Sequence, residues 1–334
     1  MRQETIRRLV SLGLLLVLIL IFGLSSEYFF TSANIFKLLR ECSIVGIISI
    51  GVSMVIITAG IDLSTGAIVG FSAMMCANLL YYTNLPVGLI MIITVVIGTL
   101  CGYLNGILVT VFRLPDFIAT LSTQFIFRGL ALICAIRTNG VITNKVIENQ
   151  NILLLGGSIN GLYLVTMAFF VIAFVGQFIL KKTKMGIYTY AVGANRKSAE
   201  LSGIDTNKIK RFVFTLTGLC CGIAALFLMA KIGSVTSDTG NGLEFEVIAA
   251  VVVGGCAFSG GRGDVFGSVI GALFMAILSN GILKYNLPTA TQLIVKGSVI
   301  VIMVIFDSVY NNYMEKKIQQ KSKLLEEASV GGDA

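Results

Sequence analysis

Isolated polar side chains in apolar stretches are the residues of this sequence most able to do chemistry. Asp62 has no charged neighbour between Glu41 and Arg113. A carboxylate at membrane depth is costly unless it is paired, hydrated or placed at a helix end. Asp62 is therefore either a substrate or coupling residue, or a cap that works with Ser64 and Thr65 at the start of a helix. Between these interpretations we favour the cap.

A second polar set lies within apolar stretches farther along the chain. Asn105, Thr120 and Gln124 can each donate and accept hydrogen bonds. A path for a polyhydroxylated solute needs side chains of this kind. With Asp62 and Asn280 they form our set of candidate path residues. The competing interpretation is hydrogen bonding between helices, at about 1 kcal/mol each. For any single residue we favour this structural interpretation.

The residue types argue against an enzyme. The chain has no histidine, which removes the commonest general base and zinc ligand. Its 7 cysteines are scattered in apolar surroundings without CxxC spacing, so we interpret them as small buried residues. No GxxxxGK[ST] phosphate loop and no HExxH pattern occur. We predict no catalytic residue, no metal site and no cofactor bound by this chain.

The elements that position these residues are predicted to be membrane helices. Hydrophobic residues make up 56% of the chain, charged residues 13%, and the mean hydropathy is +0.90, which is more apolar than a water-soluble domain. The predicted spans are 9–26, 41–60, 64–82, 86–112, 116–136, 160–180, 212–231, 245–260, 265–285 and 289–308. The first lacks a convincing signal-peptide cleavage site and is predicted to be retained. Run 245–260 is short and glycine-rich, so a re-entrant segment is its alternative.

Basic residues indicate the orientation of these helices. The net charge of +8 comes mainly from lysines and arginines between the apolar runs. Most of them lie in alternate segments, which places both termini and residues 181–211 in the cytoplasm. The same distribution explains the charge without nucleic acid. We therefore predict the lipid bilayer, and no nucleic acid, as a partner.

Residues 181–211 form the one long polar segment between the first apolar run and the last. The pattern predicts a short helix from Met185, a break at Gly193, and a second helix that is capped by Asn195, runs through Leu201 and ends at Gly203. Small and apolar residues within the segment favour docking of a cytoplasmic partner. The alternative is a solvated basic loop beside anionic lipid.

The segment resembles the cytoplasmic coupling region of the ribose-type permeases of bacterial ABC importers. The matching residues are Thr183, Gly186, Tyr190, Ala191, Gly193, Asn195, Ala199, Leu201, Ser202, Gly203 and Ile204. Further similar motifs are GIDLS at residues 60–64, NG at 105–106, and the blocks at 117–129 and 246–267. The chain departs from the family pattern at Ile187, Ala194, Val247, residues 251–253 and Cys256, and in the stretch 139–160. The resemblance covers nearly the whole chain.

The resemblance implies an all-α integral membrane protein with about ten transmembrane helices and a cytoplasmic coupling-helix loop. It implies one permease domain over residues 1–312, followed by a charged cytoplasmic tail, 313–334. The expected location is the bacterial cytoplasmic membrane. The expected partners are ABC ATPase subunits, a periplasmic or lipid-anchored sugar-binding protein, and a second permease copy or a paralogue. ATP and Mg²⁺ would be used by the ATPase.

The function implied is import of a monosaccharide or a related polyol or furanose solute by alternating access. The residues implied in docking the ATPase are Gly186, Tyr190, Ala191, Gly193, Asn195, Ala199, Leu201, Ser202 and Gly203. Two alternatives are kept: a stand-alone secondary transporter or channel, and an ABC permease of the amino-acid type. The sequence does not identify the sugar, and it does not distinguish a homodimer of permeases from a heterodimer.

Overall fold

The computed structural model describes residues 2–135, 137–138, 141–142, 145–147, 149–285, 288, 290–299, 301–302, 305 and 309. The helices are α1 (Arg2–Ser25), α2 (Ser32–Ile57), α3 (Thr65–Tyr82), α4 (Val87–Thr110), α5 (Asp116–Ile133), α6 (Gln150–Leu153), α7 (Leu164–Lys182), α8 (Lys184–Ala194), α9 (Arg196–Leu201), α10 (Thr206–Ile232), α11 (Leu243–Val253) and α12 (Val265–Lys284). A 3-10 turn covers Leu154–Gly156. The predicted all-α architecture is confirmed.

Within the described residues, seven helices are long and apolar enough to cross a membrane, namely α2, α3, α4, α5, α7, α10 and α12. The predicted count of about ten is not confirmed. The first helix contributes a shorter apolar part, Ser11–Ser25. The last predicted span, 289–308, lies partly outside the described residues.

Helix α11 is too short to cross a bilayer. Its 11 residues extend about 16 Å at 1.5 Å per residue, against a hydrocarbon core of about 30 Å. A side chain on Gly254 would overlap the backbone of Gly267, and one on Gly271 would overlap that of Ala250. These two contacts show that α11 packs antiparallel to α12. The length of α11 thus agrees with the alternative prediction that residues 245–260 form a re-entrant segment.

Helix α2 is the most buried of the seven candidate spans among the described residues. In its most apolar window 89% of the residues are buried, against 28% in α4, α5 and α7. It contacts α7, α10, α11 and α12. Helices α4 and α10 pack closely through glycines: a Cβ on Gly98 would lie 2.7 Å from Cα of Gly222, and one on Gly102 would lie 2.8 Å from Cα of Gly218. Small residues allow such close approach of membrane helices.

Short strands connect the ends of the helices. They are β1 (Arg137–Thr138), β2 (Val141–Ile142), β3 (Lys145–Val146), β4 (Ser158–Ile159), β5 (Leu162–Tyr163) and β6 (Ser234–Val235). The antiparallel pairs are β1 with β2, β4 with β5, and β3 with β6. The last pair joins the connection after α5 to the connection after α10.

The chain divides into two compact units, Met1–Leu287 and Pro288–Ala334. The first contains all the helices and strands named above. In the second, residues 290–299 are helical. The predicted tail at 313–334 lies outside the described residues, and the division at residue 312 stays a prediction.

Candidate functional site

The coupling segment, defined as residues 181–211, folds into the two short helices α8 and α9 between α7 and α10. Thr183 caps α8 by accepting a hydrogen bond from the amide of Gly186. Asn195 ends α8 and caps α9 by accepting from the amide of Ser198, as predicted. Gly203, with φ of 79°, lies just beyond α9, also as predicted. Both helix ends are therefore encoded locally.

The predicted break at Gly193 is wrong, because this residue lies inside α8. A side chain on Gly193 would overlap the carbonyl oxygen of Ile57 and would lie 2.6 Å from the amide nitrogen of Gly261. The glycine is required for close packing, not for a change in chain direction. The helix breaks instead at Asn195, whose extended backbone serves both helices.

Two connections between membrane helices meet the coupling segment at this point. We call residues 58–64, between α2 and α3, the first break, and residues 254–264, between α11 and α12, the second break. The amide of Gly261 donates to the carbonyl of Ile57 at 2.8 Å. The Tyr190 hydroxyl donates to the carbonyl of Gly263 at 2.6 Å. The coupling segment is therefore joined to the second break and to the end of α2.

The predicted docking residues divide into two groups by exposure. Gly186, Gly193 and Ala199 are buried, and Tyr190 and Ala191 are half-buried. The exposed residues are Asn195, Leu201, Ser202 and Gly203. Leu201 is 90% exposed, so almost all of its apolar side chain is accessible.

A small apolar core supports this exposed face. Val192, Ala199 and Ile209 are buried together, and Met185, Ala191 and Ile204 pack against them. At its base, Lys210 forms a salt bridge with Asp116 at the start of α5. The coupling segment is thus a packed unit that presents its tip outward.

A second candidate site is a buried polar centre around the start of α3. Oδ1 of Asp62 accepts hydrogen bonds from the amide of Ser64 at 2.9 Å and from its hydroxyl at 2.6 Å. The Asn105 amide donates to the Ser64 hydroxyl oxygen at 2.7 Å. Thr120 donates to the carbonyl of Ile61 at 3.3 Å. Three predicted path residues are therefore joined through the first break.

The start of α11 completes the polar centre. Gln124 donates to Oε1 of Glu244 at 3.0 Å. A side chain on Gly66 would overlap Oε2 of Glu244, so α3 and α11 meet at their first turns. Arg128 donates to the carbonyl of Thr239 at 2.8 Å, in the connection that leads to α11.

Two members of the polar centre lie inside the spans, whereas Asp62 and Glu244 lie at or beside helix ends. Asn105 precedes the end of α4 at Thr110 by about 7.5 Å along the axis, and Gln124 follows the start of α5 at Asp116 by about 12 Å. Asp62 and Glu244 are 0% and 1% exposed. Ionisable side chains that are buried in a membrane protein typically mark a solute or ion path.

Several buried polar atoms of the centre have no hydrogen-bond partner. They are Oδ2 of Asp62, Oγ1 of Thr65, Oγ of Ser72, Oδ1 of Asn105, Nη2 of Arg128 and Oε2 of Glu244. Leaving such a group unpaired costs about 1–3 kcal/mol. The set offers both hydrogen-bond acceptors and donors, because the Thr65 and Ser72 hydroxyls and Nη2 of Arg128 can donate.

Four of the five candidate path residues predicted from the sequence lie together in the polar centre: Asp62, Asn105, Thr120 and Gln124. Asn280, on α12, shares no hydrogen bond with the other four in the described part of the chain, and its neighbour Gly281 packs on Phe22 of α1. Glu244 and Arg128 were not among the candidates. The signal that identifies them is a charge within or beside an apolar run.

The comparisons with known proteins agree with this architecture. The family model described as "Branched-chain amino acid transport system / permease component" matches residues 34–304. The chain is 35% identical to the ribose import permease protein RbsC of Haemophilus influenzae over 91% of this chain and 92% of that one. It is 37% identical to RbsC of Bacillus subtilis, over 88% and 90%, and 34% identical to the D-allose transport system permease protein AlsC of Escherichia coli, over 88% and 89%.

The chain belongs to the ribose-type ABC importer permease family. It is a multi-pass protein of the inner membrane. These relatives are transport permeases and not enzymes. No solved structure matches the permease.

Proposed function

We propose that the permease is the membrane subunit of an ABC importer that translocates a monosaccharide or a related polyol or furanose solute. The observation that carries the proposal is the attachment of the coupling segment to the second break and to the end of α2, where the first break begins. The first break contains Asp62 and leads to the polar centre. A partner that moves the coupling segment would therefore act on the residues around the solute.

The exposed tip of the coupling segment is the proposed ATPase dock. Leu201, Ser202 and Gly203 are exposed at the end of α9, where they offer an apolar side chain and a hydroxyl group. The buried members of the predicted set, such as Gly193 and Ala199, position this tip and do not touch the partner. ATP and Mg²⁺ would be bound and used by the separate ATPase subunit and not by this chain.

Alternating access needs a partner that binds two conformations with different affinity. ATP binding would close the ATPase pair and move α8 and α9. Because α8 contacts Ile57 and the second break, that movement would reach both sides of the centre. The proposed assembly also includes a sugar-binding protein outside the cell and a second permease copy or paralogue, with both termini of this chain in the cytoplasm.

The proposed solute class follows from the polar centre and from the relatives. Asn105, Thr120 and Gln124 carry no charge and combine donors with acceptors, as sugar hydroxyls require. The relatives reported above are named for ribose import and for D-allose transport. The family description names branched-chain amino acids, so an amino-acid solute is the alternative within the same class.

A stand-alone secondary transporter is the second candidate function. Asp62 and Glu244 each keep one buried oxygen without a partner, and such carboxylates can couple transport to ions. Proteoliposomes that contain the permease without an ATPase distinguish the two. Solute uptake there would favour the secondary transporter, and uptake that needs the ATPase, ATP and Mg²⁺ would favour the importer.

The first prediction tests the dock. Leu201→Asp should abolish co-purification of an ATPase subunit with the tagged permease, because a charge replaces the apolar side chain at the tip. The matched control is Leu154→Asp, since Leu154 is also exposed, at 64%, but lies outside the coupling segment. ATPase retained by Leu201→Asp would contradict the assigned dock.

A further inference from the structure

A cleft of about 610 Å³ lies between the connection from α4 to α5 and the coupling segment. The cations Arg113, Arg196 and Lys197 line it together with Asp116 and Glu200. The cleft is at the end of two membrane helices, on the face of the protein that carries the coupling segment. Its position corresponds to the headgroup region of a bilayer.

The two carboxylates of the cleft are already neutralised. Asp116 forms its salt bridge with Lys210. Glu200 accepts hydrogen bonds from the Thr206 hydroxyl at 2.7 Å and from Arg196 at 3.0 Å. These hydrogen bonds, that of Thr206 first, hold the pKa of Glu200 below its ordinary value, so the carboxylate remains charged and paired with Arg196.

Two cations of the cleft remain without such partners. Arg113 and Lys197 form no ion pair and no hydrogen bond from their side chains within the residues that the structure describes. Arg113 also has a φ of 56°, a left-handed conformation that residues with a side chain rarely adopt. Such conformations are concentrated at functional sites.

Exposed apolar side chains lie next to the lining residues of the cleft in the chain. Val111 and Phe112 are 61% and 65% exposed just after α4, and Phe117 and Ile118 are 50% and 52% exposed in the first turn of α5. These four side chains lie at the ends of the spans. They are placed to contact acyl chains while the neighbouring cations contact phosphate.

We propose that the cleft binds the phosphate headgroup of an anionic phospholipid from the leaflet on the coupling-segment face. Arg113 and Lys197 hold the phosphate, and Phe112 and Phe117 contact the acyl chains. Guanidinium and ammonium groups between membrane helices are suited to such headgroups. An acidic segment of a partner protein would match the charges but not the exposed apolar residues beside them, which is why lipid is favoured.

The test measures association of spin-labelled phosphatidylglycerol, relative to spin-labelled phosphatidylcholine, with the complete transporter in nanodiscs. Arg113→Gln with Lys197→Gln should weaken the preference for phosphatidylglycerol about 25-fold, since each cation near an anionic headgroup contributes about fivefold. The matched control, Lys182→Gln with Lys184→Gln, removes the same charge from exposed positions of the coupling segment. Its preference should stay close to that of the wild type.

Three results would overturn the proposal. An equal loss in the control would mean that general surface charge attracts the lipid. Displacement of the spin label by inorganic phosphate would identify a site for a free anion. An unchanged lipid preference together with loss of the ATPase from the complex would assign the cleft to a partner protein. Thermal unfolding of both variants in neutral detergent checks that they fold, and the single variant Lys197→Gln, at an exposed position, serves if the double variant does not.

Discussion

Gly193 shows how one absent side chain decides the position of the coupling segment. A Cβ there would overlap the carbonyl oxygen of Ile57. Packing a side chain into such a contact costs about 1–3 kcal/mol. Glycine is needed because the two backbones touch, and the left-handed conformation plays no part.

The second prediction concerns this residue. Gly193→Ala should lower the free energy of unfolding by about 1–3 kcal/mol and reduce ATP-driven uptake, because α8 must move away from Ile57. The matched control is Gly129→Ala, since a Cβ on Gly129 meets nothing within 4 Å and alanine favours a helix. Thermal unfolding and uptake in proteoliposomes measure both effects. Wild-type values for Gly193→Ala would contradict the close packing.

The side chain of Glu244 allows the role of a carboxylate in the polar centre to be tested by mutation. The third prediction is that Glu244→Gln lowers uptake at least tenfold while it leaves the fold intact, because the amide keeps one acceptor oxygen and removes a buried charge. The control is Asp238→Asn, which removes an exposed carboxylate from the connection before α11. Uptake and ATPase co-purification are measured together. Normal uptake by Glu244→Gln would remove this residue from the path.

The polar centre could be predicted in part from single residues. Asp62, Asn105, Thr120 and Gln124 are polar residues in apolar surroundings, and that pattern is visible in the sequence. Their neighbour Glu244 lies 120 residues from its partner Gln124. Periodicity along one helix cannot reveal a pairing between distant helices.

At the scale of elements, the coupling segment was predictable where local capping decides its structure. The Asn195 cap and the end at Gly203 follow from residue type. The predicted break at Gly193 failed because a glycine in a helix is also favoured by close packing. The sequence does not show which other backbone lies against it.

The fourth prediction tests the link between the coupling segment and the second break. Tyr190→Phe removes the hydrogen bond to the Gly263 carbonyl, at a cost of about 1 kcal/mol. It should leave the ATPase bound and active but reduce the solute imported for each ATP hydrolysed. The control is Tyr188→Phe, because the Tyr188 hydroxyl forms no hydrogen bond in the described part of the chain. Equal coupling ratios in the two variants would contradict this link.

For the whole molecule, composition and hydropathy were sufficient to predict an all-α membrane protein. The number of spans was not, because apolar length does not distinguish a full span from a half-length helix such as α11. The surrounding helices bury most residues of α11. A window of the sequence therefore records its hydrophobicity and not its depth.

The fifth prediction concerns orientation. Lys197→Cys should react with a membrane-impermeant maleimide only after the membrane is opened, whereas Leu154→Cys should react in intact spheroplasts. Both variants are made with Cys134→Ser, because Cys134 is half-buried and the other six cysteines are buried. Labelling of Lys197→Cys in intact spheroplasts would reverse the proposed orientation.

The close glycine contact between α4 and α10 has a mechanical consequence. Backbones that touch leave no flexible side chains to absorb movement, so the two helices should tilt as one rigid lever. Helix α10 has 27 residues, which corresponds to a length of about 40 Å. A tilt of about 5° at the coupling end would displace the far end of such a rod by about 3.5 Å. A small rotation on one side of the bilayer would thus become an atomic-scale opening on the other.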